Sequence, residues 1–378
     1  MKKRSPLHLL GPLLVVAVFA VAAWLLCDEL ARAKLTPAKI YDSLLDIPIW
    51  RIMVALGLTI INYGILVCFD YLAFRYAKVP ISLQRVAFAA LTSYSFSYNF
   101  GATLAGVPLR YRLYSSWNIP LTKIVQLLVI LALTFWFGVF FISGVLFVAA
   151  PLRIPPDQLQ SITQALLTKI PKEAVDWFAY LFSDSRPFGV VLLLLAGFYV
   201  GTSLLHRGSL KIFRWTLPVP PFRLTIYQIG IASADMLVAG SVLYTLFPPI
   251  LGGYLKILEV YLVVYVLIVL SHVPGGWGVL EAGMMALLGT LQLVPNPEAN
   301  MPMVVAGIIV FRVIYFLMPL AFSAALVGWH EYALRKQWIS PIVVSPEGAA
   351  DNVSTNVPSS NGKSETGEPR RHVPSEKE

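Results

Sequence analysis

The sequence predicts an all-α polytopic membrane protein, and three observations carry that prediction. First, 57% of its 378 residues are hydrophobic and the mean hydropathy is +0.71. Second, only 13% are charged, about half the roughly 25% of an ordinary soluble domain, too little to coat a globule of this size. Third, the apolar residues fall in long runs, enough at roughly 20 residues per span for about eight transmembrane helices. A cytosolic enzyme, a secreted disulfide scaffold and a disordered chain are excluded on these grounds. The net charge of +9 is read as orientation and headgroup contact, not as nucleic-acid binding. The two cysteines, Cys27 and Cys68, lie in apolar stretches and suggest no disulfide framework. The five histidines, His8, His206, His272, His330 and His372, lack the spacing of a zinc helix.

The runs are read in order. Met1-Lys2-Lys3-Arg4 precedes Leu9–Cys27, which is long for a signal-peptide core and lacks a small-residue cleavage site, so we expect an uncleaved first helix. Further runs are Ile52–Phe69, Val86–Gly106, Ile124–Ala150, Phe188–Leu205, Leu224–Phe247, Ile257–Leu270, Val273–Val294 and Met303–Gly328, nine in all. With no water to satisfy backbone groups in lipid, these are expected to be helical. The segments Asp28 to Arg51 and Arg153 to Arg186 each hold four acids and four bases and read as external. Arg207, Lys211, Arg214 and Arg223, without an acid between them, read as cytoplasmic, as do Arg75, Lys78 and Arg85. Both termini are then cytoplasmic.

Arg110, Arg112 and Lys123 look equally cytoplasmic, so Val86–Gly106 begins and ends on one side. Its polar, aromatic string Ser93-Tyr94-Ser95-Phe96-Ser97-Tyr98-Asn99-Phe100-Gly101 suits a re-entrant hairpin, with Asn99 and Gly101 at the break. A second break, Ser271-His272-Val273-Pro274-Gly275-Gly276-Trp277-Gly278, leaves residues 257–294 readable as two crossings or as a hairpin. In the hairpin version two helix–break–helix units lie in opposite orientation, an inverted repeat common among transporters. Residues 1–340 form one transmembrane domain. Residues 341–378, with five prolines and no aromatic residue, are expected to be a disordered cytoplasmic tail.

Ionisable groups inside spans are costly and therefore informative. They are Asp70, Asp235, Glu259, Glu281 and Arg312. Asp70 and Glu259 are placed at the interface. Arg312 lies about 14 Å into its run at 1.5 Å per residue. One reading pairs Arg312 with Glu281 or Asp235 as a helix lock. The other makes Arg312, Arg110 and Arg112 a path for an anionic headgroup that Glu281 gates, although Arg110 and Arg112 also suit ordinary positive-inside anchors. Pro274, Gly275 and Gly276 read either as a phosphate-binding backbone or as a tight break. His272 reads as a proton shuttle or a helix cap. No Walker A string, carboxylate cluster or metal site appears, so no cofactor and no catalytic residue are expected.

Several of these strings, Tyr94–Asn99, Leu109-Arg110-Tyr111-Arg112-Leu113-Tyr114-Ser115, His272 to Ala282 and Phe311-Arg312-Val313-Ile314-Tyr315 to Leu320, resemble the bacterial inner-membrane YbhN family. That family is related to the transmembrane, flippase-like half of lysylphosphatidylglycerol synthetases. The glycine pair that precedes Arg110 in the family is partly kept, as Ala105-Gly106-Val107-Pro108. The resemblance implies a multi-pass inner-membrane protein acting on phospholipids or other anionic lipids, by translocation or other handling. Without the synthetases' soluble domain it implies no aminoacyl transfer. The alternatives are a non-catalytic accessory or scaffold for a lipid-synthesising enzyme, and a membrane-embedded enzyme.

Overall fold

The computed structural model describes residues 36–153, 184–205, 208–212, 215–271 and 273–335. The expected first helix Leu9–Cys27, His272 and the tail from residue 341 lie outside the described residues. A short helix, α1 (Pro37–Leu45), starts on the Thr36 hydroxyl, which accepts from Lys39 N. The long helices α2 (Ile49–Ala77) and α5 (Leu121–Ala149) have 29 residues each, about 44 Å at 1.5 Å per residue. Between them lie α3 (Leu83–Phe100), a widened π-helical turn at Ala102–Gly106, and α4 (Val107–Ser116). Then come α6 (Arg186–Leu205), the strands β1 (Gly208–Ile212) and β2 (Trp215–Val219), and α7 (Phe222–Leu246). The strands pair antiparallel within the basic stretch, where hydropathy and charge alone predict only a cytoplasmic connection. The second half continues with α8 (Gly253–Ser271), a 3-10 turn at Pro274–Gly276, and α9 (Val279–Thr290). It closes with α10 (Pro297–Phe311), a π-helical segment Arg312–Leu317, and α11 (Met318–Arg335).

Six helices among the described residues are long and apolar enough to cross a membrane: α2, α5, α6, α7, α8 and the continuous rod Pro297–His330. The protein is therefore an all-α polytopic membrane protein. Side chains such as Ile60, Leu194, Phe198 and Leu205 are exposed, as a lipid-facing surface requires. Lipid tails are as apolar as leucine, so helices associate by close packing rather than by hydrophobic exclusion. Gly138 on α5 accordingly lies against Ala232 on α7, where a Cβ would overlap the alanine methyl.

Contacts at the helix ends determine the topology. Arg51 donates to the Phe247 carbonyl at 3.1 Å, so α2 and α7 run antiparallel. Lys123 Nζ donates to the Ala77 carbonyl at 2.9 Å, so α5 starts beside the end of α2. The intervening α3–α4 unit thus leaves by the end it entered, as a hairpin. Gly106 packs closely on α3, where a Cβ would overlap the Ser97 hydroxyl. At the opposite end of the α2/α7 pair, Leu251 N donates to the Leu293 carbonyl at 2.9 Å, which closes the α8–α9 unit in the same way. Two hairpins enter from opposite ends and meet tip to tip. Residues 257–294 are therefore a hairpin, not two crossings, and α9, with 12 residues, spans only about 18 Å. Among the described residues, the end with the first hairpin's base carries Arg75, Lys78, Arg85, Arg112, Lys123 and Arg223, whereas the other end mixes Lys39, Arg51, Arg153 and Arg186 with Asp42, Asp46, Asp184 and Glu298.

Candidate functional site

The hairpin tips build the site. Helix α3 stops at Gly101, whose φ of 90° and ψ of 147° form a combination open essentially to glycine alone. In the other tip, Gly275, Gly276 and Gly278 all have positive φ. Gly275 has a second reason to be glycine: a Cβ would stand 2.6 Å from the Asn99 carbonyl oxygen. Asn99 Nδ2 donates to the Ser95 carbonyl of its own helix at 2.8 Å and to the Phe316 carbonyl at 3.0 Å. The π-helical segment Arg312–Leu317 is therefore bonded to the first tip through Phe316.

It is bonded to the second tip through Arg312. The guanidinium Nε donates to Glu281 Oε1 at 2.7 Å and Nη2 to Glu281 Oε2 at 3.1 Å. Nη2 also donates to the Gly276 carbonyl at 2.7 Å, and Nη1 to the Gly275 carbonyl. Trp277 and Phe316 lie on the cation at 4.7 and 4.9 Å. Glu281 Oε2 accepts from Gly278 N at 2.8 Å as well, capping α9. This buried pair is the Arg312–Glu281 pairing expected from the sequence; Asp235 is not the arginine's partner. Both carboxylate oxygens and both glycine carbonyls are committed to the arginine, which ties the glycine-rich turn into one shape.

Arg110 has a similar environment elsewhere. Expected as a basic anchor or headgroup contact, it is instead 5% exposed and holds Asp70 with two bonds, at 3.2 and 3.1 Å. The Tyr114 hydroxyl donates to Asp70 at 3.2 Å, and the Tyr94 ring lies 4.4 Å from the guanidinium. Asp70, placed at the interface by its position at a run's end, is fully buried against protein, as is Glu259 beside Lys256. Arg112, two residues from Arg110, is exposed on α4. An aromatic ladder joins the two arginine sites: Tyr94 to Tyr98 at 6.1 Å, and Tyr98 to Phe316 at 5.9 Å.

Asp235 lies in a third place, on α7 against α2. Its Oδ1 and its backbone carbonyl both accept from Asn62 Nδ2 at 2.9 Å. Asn62 Oδ1 in turn accepts from the Tyr315 hydroxyl at 2.7 Å, and the Tyr63 hydroxyl donates to the Tyr315 carbonyl at 3.3 Å. One π-helical segment is thus bonded to both hairpin tips and to α2. Such segments occur frequently at functional sites.

Beside the tips opens a cleft of about 470 Å³ lined by Asn99, Phe100, Leu104, Pro274 and Trp277. The structure brings together Asn99, Pro274, Gly275, Gly276, Glu281 and Arg312, with Gly101 ending the facing helix. It leaves Arg110 and Asp235 in their own networks, and His272 is outside the described residues. Sequence reasoning did not single out Asn62, Trp277 or Tyr315, and it placed Asp70 at the interface. A signal existed for some: Arg110 and Tyr114 are four residues apart on one helical face, and an asparagine within an apolar helix needs a hydrogen-bond partner.

No family model matches the chain. It is 31% identical over 291 residues to an uncharacterized protein, slr0712, of Synechocystis, across 74% of this chain and 80% of that one. It is 25% identical over 321 residues to the inner membrane protein YbhN of Escherichia coli, across 85% of this chain and 92% of that one.

Proposed function

Because the chain belongs to the family of YbhN and its Synechocystis relative, we propose that it is an inner-membrane protein that handles lipid, moving phospholipid-type headgroups between leaflets. One observation carries the reading: two broken hairpins enter from opposite ends and meet at an open cleft lined by Phe100, Leu104, Pro274 and Trp277. Interrupted segments that meet inside a membrane are the working parts of many transporters. The cleft is apolar enough for acyl chains, and its exposed rim is Phe100, Leu104 and Trp277. The relation of the YbhN family to the membrane half of lysylphosphatidylglycerol synthetases, expected from the sequence resemblance, points to the same substrate class. In this reading the work is movement without a covalent step, and the end rich in Arg75, Lys78, Arg85, Arg112, Lys123 and Arg223 faces the cytoplasm.

The arginines enter the proposal differently from the sequence reading. Arg312 and Arg110 each hold a carboxylate, so Arg312 fixes the glycine-rich tip, Arg110 ties α4 to α2, and the lipid meets the exposed Trp277 at the cleft. The same saturation favours a second reading, a non-catalytic scaffold for a lipid-synthesising enzyme. Reconstitution separates the two. Vesicles with a fluorescent phospholipid and an externally added quencher should show accelerated exposure of inner-leaflet label when they contain the protein. Leu104→Trp, which fills the cleft, should slow it. Exposure no faster than in empty vesicles overturns translocation and favours the scaffold.

A further inference from the structure

Four acidic side chains are buried among the described residues: Asp70, Asp235, Glu259 and Glu281. Asp70 pairs with Arg110, Glu259 with Lys256 and Glu281 with Arg312. Asp235 alone has no basic partner among the described residues. It is 3% exposed, at the fourteenth position of the 25-residue helix α7, about midway along the span.

Among the described residues its surroundings offer hydroxyls and no cation. Tyr63 comes from α2, Tyr98 from α3, Tyr261 and Tyr265 from α8, and Tyr315 from the π-helical segment. Helix α5 holds no ionisable residue after Lys123, and α10 holds only Glu298 in its first turn. Tyr199 of α6 is hydrogen-bonded to Gln228 instead, and Arg312 is committed to Glu281. Among the described residues Asn62 is the one donor to the carboxyl, on Oδ1. A metal cation is poorly served here, since the amide turns its N–H group and not its oxygen toward the carboxylate. A carboxyl buried without a cation is balanced most simply by a proton.

We propose that Asp235 is a proton-binding site on the seam between the two halves. One proton from solvent forms an O–H bond on Oδ2, and its loss restores the carboxylate. The consequence follows from connectivity. Asp235 holds Asn62, and Asn62 holds Tyr315. Tyr315 belongs to the segment that ties down both hairpin tips through Arg312 and Phe316. Changing the charge on Asp235 changes the strength of the Asn62 bond and hence the restraint on the tips. This coupling rests on the lipid-moving reading above; the protonation does not.

Infrared difference spectroscopy of the full-length protein in phosphatidylethanolamine–phosphatidylglycerol vesicles tests it. On going from mildly acidic to mildly alkaline buffer, the wild type should lose a protonated-carboxyl C=O band that is missing from Asp235→Asn. Asn62→Leu keeps the carboxyl and should shift the band, which serves if the first variant folds poorly. A band unchanged in Asp235→Asn, or one that does not respond to pH, overturns the proton site. Vesicle translocation fully retained in Asp235→Asn overturns the coupling while leaving lipid movement standing. A titrating band with no translocation in the wild type overturns lipid movement and leaves the proton site standing.

Discussion

Replacing Arg312 by leucine removes the cation of a buried pair and the donor to two carbonyls in a single step. Glu281 then keeps only the Gly278 N–H, and the carbonyls of Gly275 and Gly276 lose the guanidinium. Leaving a buried charge uncompensated typically costs about 3–5 kcal/mol, or between two and four powers of ten in the folding equilibrium at about 1.4 kcal/mol per decade. Glu281→Leu should cost a similar amount, since it strands the arginine. The double variant replaces both charges with apolar groups and should recover most of the loss. Recovery should stop about 1–3 kcal/mol short, because the two glycine carbonyls and Gly278 N remain without their side-chain partners. Arg312→Lys keeps the charge but not the planar fork, so it should lie between the wild type and leucine. Detergent-solubilised protein heated while its tryptophan fluorescence is followed gives the unfolding midpoints. Trp277 lies 4.7 Å from the guanidinium, so its emission should also change in the folded state. A double variant no more stable than Arg312→Leu would refute the pairing as the source of the loss.

The tip contact can be isolated with two alanines. Gly275→Ala and Gly253→Ala both force a side chain into positive φ, about 1–2 kcal/mol each, but only position 275 has a backbone oxygen in the way. Gly275→Ala should therefore unfold at a clearly lower temperature, and equal midpoints would remove the steric argument for the tips. Asp70→Asn should destabilise by a few kcal/mol by stranding Arg110, with Asp70→Asn/Arg110→Met partly restored in the same melts; additive losses would count against a coupled pair. In a background with Cys27 and Cys68 replaced by serine, Ser82→Cys and Ser115→Cys should react with impermeant maleimide from one face only. Leu251→Cys and Glu298→Cys should react from the other face, and labelling of Ser82 and Ser115 from opposite faces would break the hairpin topology.

The membrane class and the two breaks were legible in the sequence because hydropathy and glycine content belong to single residues. The run from Val86 stops being lipid-compatible at Ser93, and Gly101 and Gly275–Gly278 mark where the backbone leaves the helix. The Arg312–Glu281 pair was also legible, by necessity: a cation that deep needs a carboxylate, and few were on offer. Arg110 was not, since a basic residue near a helix end has water or headgroups as an equally good destination. Only packing brings Asp70, 40 residues away, to its side. Likewise loop charge could not distinguish two crossings from a hairpin at residues 257–294, because both return the chain to the same face. The meeting of Gly275 with Asn99 at the other tip and the 12-residue length of α9 decide it. The Asp235–Asn62–Tyr315 chain joins residues 173 and 253 positions apart. Hydropathy states which groups need a partner, whereas the choice of partner depends on which helices pack together, and that is decided only by the whole fold.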